Sequence, residues 1–442
     1  MSDAFERARA LFLQGMQAFD AGRLPEAEQH LAASLQLLPG RPSTLLNLAV
    51  VRLRLRRPQE ALALLDAVLA QEPGSAEAWG HRGTALAALG RPEEAVASFE
   101  RTLALAPGNA AALFQCATQL NALARHDEAL ARLDALIAAH PGDDDARFDR
   151  GATLQALGRP LEALASFDEL VARRPGMAMA WTQRGSLLKD LGRLPEAAQS
   201  FRQALAQGGD PELNRYLLAS VDGAAAAAGA PSAAPRAYVE GLFDQYAATF
   251  DEHLVARLGY RTPELLAALL PAGRRFATAL DLGCGTGLMA PLLRPRADAI
   301  DGVDLSRQML DKARALALYR ELRHADVAEF LRLTDRRYDL VVAADVFVYV
   351  GALDAVFDGV ARVLAPDGLF LFSVEEAGDG RELELRTTSR YAHGLGGLRR
   401  LAALHGLAEG RVERATLRHD QGQPITGLCV LLRREGAPPH EG

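Results

Sequence analysis

Residues 279–288 read Ala-Leu-Asp-Leu-Gly-Cys-Gly-Thr-Gly-Leu, and this segment predicts how the second half of the chain folds. An apolar run ends at Leu282, glycines interrupt it, and a helical pattern follows to Leu293, which together predict a strand, a tight turn and a helix. Glycine is needed where the chain bends sharply and a ligand lies against bare backbone. A second strand ends about twenty residues later at Asp304, a position suited to holding two ribose hydroxyls. The segment therefore predicts a nucleoside-binding βαβ unit.

The position of Asp281 distinguishes this turn from a dinucleotide-binding turn. The Gly-x-Gly-x-x-Gly fingerprint surrounds a pyrophosphate, which a carboxylate at Asp281 would repel. A carboxylate can instead accept hydrogen bonds from an ammonium group. The order Asp-x-Gly-x-Gly-x-Gly followed by Asp304 resembles the first motif of the class I S-adenosylmethionine (SAM) dependent methyltransferases. A turn without a ligand would explain the glycines but neither aspartate.

This resemblance implies a Rossmann-like α/β domain with a seven-stranded, mostly parallel sheet, which binds SAM and releases S-adenosyl-L-homocysteine. By the resemblance, Asp281 would hold the methionine amino group, Asp304 the ribose and Asp326 the adenine. The other predicted cofactor contacts are Tyr246, Tyr260, Gly283, Cys284, Gly285, Gly287, Leu305, Met309, Val327 and Ala344.

The first half of the chain repeats itself. Proline recurs every 34 residues from Pro39 to Pro175, and a Glu-Ala pair recurs with the same period from Glu26 to Glu196. Six units in one register resemble the tetratricopeptide repeat (TPR), a helix-turn-helix whose units stack into a solenoid. A small residue in each first helix allows close packing of the second helix, and the proline ends the second helix. The resemblance implies an all-α repeat array before the α/β domain, as in bacterial methyltransferases that carry TPRs.

Stacked repeats present a concave surface, which usually binds a protein or peptide segment. We therefore expect the array to recruit a polypeptide substrate or to mediate self-association as a homodimer. The net charge of −7 argues against nucleic acid as the main partner, because phosphate neutralisation needs a basic surface. The predicted domains are six repeats at 1–207, a capping helix and an Ala/Pro/Gly linker at 208–235, a methyltransferase domain at 236–435 and a disordered tail at 436–442.

The methyl acceptor is less defined by the sequence. Strand ends place Asp345 and Tyr349 near a ligand, and the segment Ser-Arg-Tyr-Ala-His at 389–393 falls where these methyltransferases insert substrate-binding groups. The candidate catalytic residues are His393, Tyr391 and Asp345. The candidate substrate-binding residues are Arg390, as a carboxylate clamp, and Tyr349. No Asn/Asp-Pro-Pro-Tyr loop follows the fourth strand, which weakens a nucleic-acid base as the acceptor.

Three functions stay open at this point. The chain methylates a polypeptide side chain, or it methylates a small molecule such as a carboxylic acid while the repeats dimerise it, or it binds SAM without turnover. Three cysteines far apart in the sequence, without metal-type spacing, indicate neither a disulfide framework nor a metal site. The charged N-terminus and the lack of a long apolar run predict a cytoplasmic protein with no membrane segment.

Overall fold

The computed structural model describes residues 2–227, 229–247, 250–251, 259–378, 380–420 and 422–434. The chain divides into two compact units, Met1–Leu187 and Leu188–Gly442. The predicted tail at 436–442 lies outside the described residues, and the predicted domain boundaries stay predictions. None of the described helices combines the length and the apolar character that a bilayer crossing requires.

The first unit is all helical, as the repeat predicts. Its helices alternate as first and second members of each pair: α1 (Ser2–Asp20), α2 (Leu24–Leu37), α3 (Pro42–Arg54), α4 (Pro58–Gln71), α5 (Ala76–Ala88), α6 (Pro92–Leu105), α7 (Ala110–Ala122), α8 (His126–Ala139), α9 (Asp144–Ala156) and α10 (Pro160–Arg173). Helix α11 (Ala178–Asp190) contains the boundary between the units, and α12 (Leu194–Ala206) and α13 (Pro211–Val221) belong to the second.

The small-residue positions of the repeat have a steric cause. A Cβ added at Gly83 would lie 2.5 Å from the Phe99 ring, and one at Gly151 would lie 2.6 Å from the Phe167 ring. Both rings are almost fully buried. The recurring glutamate also forms an ion pair with the arginine three residues earlier, as Glu94 does with Arg91 at 2.6 Å. Its spacing in the sequence did not reveal this role.

The second unit contains one sheet of nine strands among the described residues. The strands are β1 (Phe276–Leu282), β2 (Ala297–Asp304), β3 (Glu321–His324), β4 (Tyr338–Ala343), β5 (Leu364–Glu376), β6 (Leu383–Leu385), β7 (Tyr391–His393), β8 (Leu407–Asp420) and β9 (Gln423–Arg434). The order β3-β2-β1-β4-β5 is parallel. Strand β9 joins β5 antiparallel and β8 pairs with β9, while β7 pairs with the end of β5 and β6 pairs with β7.

The remaining helices are α14 (Gly223–Ala227), α15 (Arg236–Tyr246), α16 (Thr262–Leu269), α17 (Ala290–Leu293), α18 (Arg307–Ala315), α19 (Val327–Leu333), α20 (Asp354–Val363) and α21 (Leu395–Leu404). Alternate residues of the central strands enter two apolar clusters, with Leu280 and Val341 in one and Ala279 and Leu340 in the other. The sheet is therefore packed on both faces, as a doubly wound α/β fold requires. The predicted fold class is confirmed, and two short strands, β6 and β7, extend the predicted seven.

Candidate functional site

The glycine turn after β1 has the backbone that its sequence predicts. Gly283, Gly285 and Gly287 have φ angles of 62°, 54° and 95°, in the left-handed region that favours glycine. A Cβ at Gly283 would lie 2.5 Å from Val346, whereas a Cβ at Gly285 would meet nothing within 4 Å. The turn is therefore closed against the protein at Gly283 and open to the adjoining cavity at Gly285.

The carboxylate of Asp304 is fixed at the end of β2 by two backbone N–H groups. Gly285 N–H donates to Oδ2 and Ser306 N–H donates to Oδ1, each at 2.8 Å. Burial raises the pKa of Asp304, and the backbone hydrogen bonds oppose this rise. Each oxygen keeps a further lone pair, so the carboxylate can still accept from a ligand hydroxyl.

Asp281 is buried at the end of β1 and is held by an unexpected partner. The hydroxyl of Tyr319 donates to Asp281 Oδ2 at 2.7 Å. Burial raises the pKa of Asp281 to about 7, although the Tyr319 hydrogen bond lowers it. Tyr319 lies in the turn before β3, where no sequence motif marked it. A cationic ligand group beside Asp281 would restore the charged form of this carboxylate.

One cavity opens at the carboxyl ends of β1, β2 and β4. The predicted cofactor residues on its wall are Tyr260, Asp281, Gly283, Cys284, Gly285, Asp304, Leu305, Asp326, Val327 and Ala344, and the predicted acceptor residues there are Asp345, Tyr349 and Arg390. Sequence reasoning missed several apolar wall residues, among them Ala233, Ala234, Val239, Leu288, Met289, Val346, Val348 and Val350. Two aromatic residues, Phe243 and Phe250, also line it.

Five of the predicted site residues are not among the described residues that line the cavity. Gly287 shapes the turn, since a Cβ there would lie 2.7 Å from Leu316. Tyr246 is half exposed, and Met309 is buried in the first turn of α18. Tyr391 and His393 are buried in β7. The roles assigned to these five residues stay predictions, as do those of the predicted residues that line the cavity.

Asp326 lines the cavity and also caps a helix. Its Oδ1 accepts from the backbone N–H groups of Ala328 at 2.9 Å and Glu329 at 3.0 Å, at the start of α19. The second oxygen remains available, so the cap and the predicted adenine contact are compatible.

The buried side chain of His393 contacts the backbone. Its Nε2 lies 3.2 Å from the Phe347 carbonyl oxygen, and the side chain is 4% exposed. Burial lowers its pKa, so the ring is neutral at physiological pH. The hydroxyl of Tyr391 donates to the Pro231 carbonyl at 2.6 Å. Both side chains are thus engaged with backbone rather than directed into the cavity.

Asp345 is part of a buried ionic network at the cavity floor. Arg418, which is 1% exposed, pairs with Asp345 Oδ2 at 2.5 Å and with Glu375, and Arg386 pairs with Glu375 at 2.7 Å. Asp345 has a φ of 60°, and its N–H donates to Ser373 Oγ at 2.8 Å. Its Oδ1 is buried and has no hydrogen-bond partner among the described residues. A ligand donor would satisfy this oxygen.

Arg390 brings a positive charge to the cavity wall. Within the described ranges, no carboxylate lies at ion-pair distance from its guanidinium. Burial lowers the pKa of Arg390, but the Tyr349 hydroxyl and the charges of Asp345 and Glu375 raise it more, so the group stays ionised. The cavity therefore combines buried carboxylates around the glycine turn with the guanidinium of Arg390, and the exposed Arg236 also lines it.

These residues fit SAM. The open face of Gly285 allows a ligand to lie against backbone, the carboxylate of Asp281 suits an ammonium group, and that of Asp304 suits a diol. The predicted cavity residues also belong to separate strands that meet at one sheet edge, as ligand sites in open α/β sheets do.

Family comparisons agree with both halves of this description. A methyltransferase domain model matches residues 280–372, and tetratricopeptide repeat models match residues 46–110, 86–150 and 149–212. The chain joins tetratricopeptide repeats to a methyltransferase domain. The predicted family resemblance is thereby confirmed, and so is SAM as the cofactor of this class of domain.

The methyltransferase domain is similar to several curated methyltransferases. It is 37% identical over 185 residues to a malonyl-[acyl-carrier protein] O-methyltransferase of Geobacter sulfurreducens, covering 40% of this chain and 63% of that protein. It is 32% identical over 105 residues to a ubiquinone biosynthesis O-methyltransferase of Alkalilimnicola ehrlichii, covering 23% and 41%. The chain thus spans less than two thirds of these relatives.

One solved structure to which this chain is similar is that of the N-methyltransferase NodS from Bradyrhizobium japonicum in complex with S-adenosyl-L-homocysteine. The identity is 17% and the TM-score is 0.37, with 44% of this chain and 97% of that chain covered.

Proposed function

We propose that this protein is a SAM-dependent O-methyltransferase that converts a carboxylate into its methyl ester, and that its repeats recruit the polypeptide that carries the carboxylate. The single observation behind the acceptor class is Arg390, a cavity arginine without an ion-pair partner among the described residues. The names of the related malonyl-[acyl-carrier protein] O-methyltransferases support the same acceptor chemistry.

The cofactor side of the cavity follows from the carboxylates. Asp281 would bind the amino group, Asp304 the ribose hydroxyls and Asp326 the adenine amino group. SAM, when bound, supplies an electrophilic methyl carbon attached to a sulfonium. The protein's contribution is to hold the acceptor in line with that carbon and to exclude water, since positioning contributes most of the catalysis in such a transfer.

Arg390 would orient the acceptor. A guanidinium can donate two parallel hydrogen bonds to one carboxylate, and the Tyr349 hydroxyl beside it can donate or accept a third. Asp345 lies on the same wall with an unpartnered oxygen. Its negative charge, held by Arg418, would keep the acceptor carboxylate toward Arg390 by repulsion.

A carboxylate acceptor also agrees with the positions of His393 and Tyr391, which are not on the described cavity wall. A carboxylate is already ionised at neutral pH, so an oxygen lone pair can attack without proton removal. His393 and Tyr391, whose side chains are bound to backbone carbonyls, would then support the wall instead of moving protons.

Tetratricopeptide arrays commonly bind polypeptides on their concave surface, which supports recruitment of a protein-borne carboxylate. A small molecule is the second candidate acceptor, and the name of the related ubiquinone biosynthesis O-methyltransferase, which indicates a small-molecule pathway, favours it.

Labelled methyl transfer from SAM to malonyl-coenzyme A, to a malonyl-loaded acyl carrier protein and to an acidic peptide tests the proposal. We expect an alkali-labile methyl ester, and we expect Arg390→Met to abolish its formation while SAM binding persists. Arg236→Met is the matched control, because Arg236 also lines the cavity but is exposed and pairs with Glu329. Alkali-stable product, or equal losses in both variants, would overturn the carboxylate assignment. Binding of SAM with no transfer to any acceptor would favour the non-catalytic alternative.

A further inference from the structure

The loop that carries Arg390 has an unusual backbone. It joins β6 to β7, and two hydrogen bonds close it: Ser389 N–H to the Arg386 carbonyl at 2.8 Å and Arg386 N–H to the Arg390 carbonyl at 2.9 Å. Ser389 has a φ of 57° and is 1% exposed. A serine in the left-handed region costs on the order of 1 kcal/mol, so surrounding contacts must hold it there.

Those contacts come from Lys189 of α11 and from helix α13, which the sequence predicted only as a cap of the repeat array. The hydroxyl of Tyr216 donates to the Ser389 carbonyl. Ser220 Oγ lies 3.5 Å from Ser389 Oγ, and Lys189 Nζ donates to the same oxygen at 3.2 Å. All of these residues belong to the second compact unit.

Tyr216 also contacts the residue on the other side of Arg390. The rings of Tyr216 and Tyr391 pack with centroids 6.0 Å apart, and both rings are fully buried. Burial raises the pKa of Tyr216, so its hydroxyl remains a donor at every working pH. One side chain therefore fixes both chain neighbours of Arg390, through a hydrogen bond on one side and ring packing on the other.

A second connection leads from Tyr391 to the rest of the wall. The Tyr391 hydroxyl donates to the Pro231 carbonyl. The residues after Pro231 pair with the chain that follows β4: Ala233 lies opposite Val350, and Ala234 N–H donates to the Tyr349 carbonyl at 2.9 Å. The residues 231–235, predicted as a linker, thus form part of the cavity wall beside Tyr349.

We propose that Tyr216 is a positioning residue of the acceptor site, which holds Ser389 and Tyr391 so that Arg390 projects into the cavity. The role of Arg390 in this proposal rests on the proposed function, whereas the ordering of the loop by Tyr216 does not. Helix α13 and residues 231–235 are then required parts of the acceptor site, and a protein that begins at residue 236 lacks them.

Tyr216→Phe in the full chain tests this inference, because it keeps the ring and removes the hydroxyl. Tyr338→Phe is the matched control, because it removes another buried tyrosine hydroxyl. The Tyr338 hydroxyl donates to Asp301 of β2 at 3.0 Å, and neither residue lines the acceptor wall. The first readout is amide hydrogen exchange over residues 386–391. We expect faster exchange in Tyr216→Phe and wild-type exchange in Tyr338→Phe. Unchanged exchange in Tyr216→Phe would overturn the inference, with or without a known acceptor.

The second readout is steady-state methyl transfer from SAM to malonyl-coenzyme A. We expect Tyr216→Phe to raise the KM for this probe by about tenfold while kcat and the Kd for SAM stay within about twofold, since a displaced arginine weakens acceptor binding rather than the chemical step. Equal falls in kcat for both variants would indicate a general loss of stability and would refute positioning. If the wild type transfers no methyl to malonyl-coenzyme A, to the malonyl-loaded acyl carrier protein or to the acidic peptide, but Tyr216→Phe still speeds exchange, the carboxylate proposal fails and the positioning of the loop stands.

Discussion

Replacing Asp304 by asparagine tests the cofactor assignment most directly. Each oxygen of this carboxylate accepts one backbone N–H, from Gly285 and from Ser306. An asparagine keeps one acceptor and turns its amide N–H₂ toward the other backbone N–H, so one hydrogen bond is lost and the ribose contact loses its charge. A hydrogen bond to a charged group contributes about 1.5–3 kcal/mol. Since 1.4 kcal/mol is a factor of ten, the Kd for SAM should rise roughly 10- to 150-fold.

Isothermal titration of SAM into the full chain measures this change. Asp301→Asn is the control, because Asp301 is another buried carboxylate of β2, bound by Arg320 and Arg336, and it is not on the cavity wall. We expect the control to lower the melting temperature while its Kd for SAM stays within about twofold of the wild type. Wild-type affinity in Asp304→Asn, or the same loss of affinity in both variants, would show that Asp304 does not bind the cofactor.

Three further outcomes follow from named contacts. Because burial raises the pKa of Asp281 to about 7, the ionised fraction of this carboxylate is about tenfold smaller at pH 6 than at pH 8, and the Kd for SAM should be about tenfold higher at pH 6. Asp281→Asn should remove this pH dependence. In the free protein the same raised pKa makes stability fall as pH rises from about 4 to 7. Tyr391→Phe should raise the acceptor KM without a fall in kcat, whereas a kcat that falls alone would restore Tyr391 as a catalytic residue. Gly83→Ala should lower the free energy of unfolding, measured by urea denaturation, by about 1–3 kcal/mol, because its Cβ would lie 2.5 Å from Phe99. Gly80→Ala on the same helix is the control and should not lower it, because its Cβ would lie 3.7 Å from the nearest atom.

The parts that the sequence predicted well are those whose partners are close in the chain or fixed by a period. The repeat register predicted the helix pairs and their close contacts, because a glycine in one helix and an aromatic in the next recur at constant spacing. The glycine turn and Asp304 were found because consecutive parallel strands bring their carboxyl ends to one edge.

Other features carried no such pattern. Strands β6 and β7 have three residues each, too few for an alternation of polar and apolar residues. The sequence suggested His393 as a catalytic residue, but no local pattern shows what its ring contacts, and in the structure the ring lies against a backbone carbonyl. Tyr319 became part of the site only through its contact with Asp281.

The sequence by itself determined the repeat array, the α/β class and the carboxylates around the glycine turn, because steric demands on glycine and the periods of helices and strands are local. Only the tertiary structure decided the acceptor wall. Tyr216 and Ser389 are 173 residues apart, and no local preference links a helix once assigned to the cap of the repeats with a loop that carries Arg390. The two residues pair because both are buried in the second unit. Without water, the Ser389 carbonyl and the Tyr216 hydroxyl must hydrogen-bond to each other, and that hydrogen bond positions Arg390.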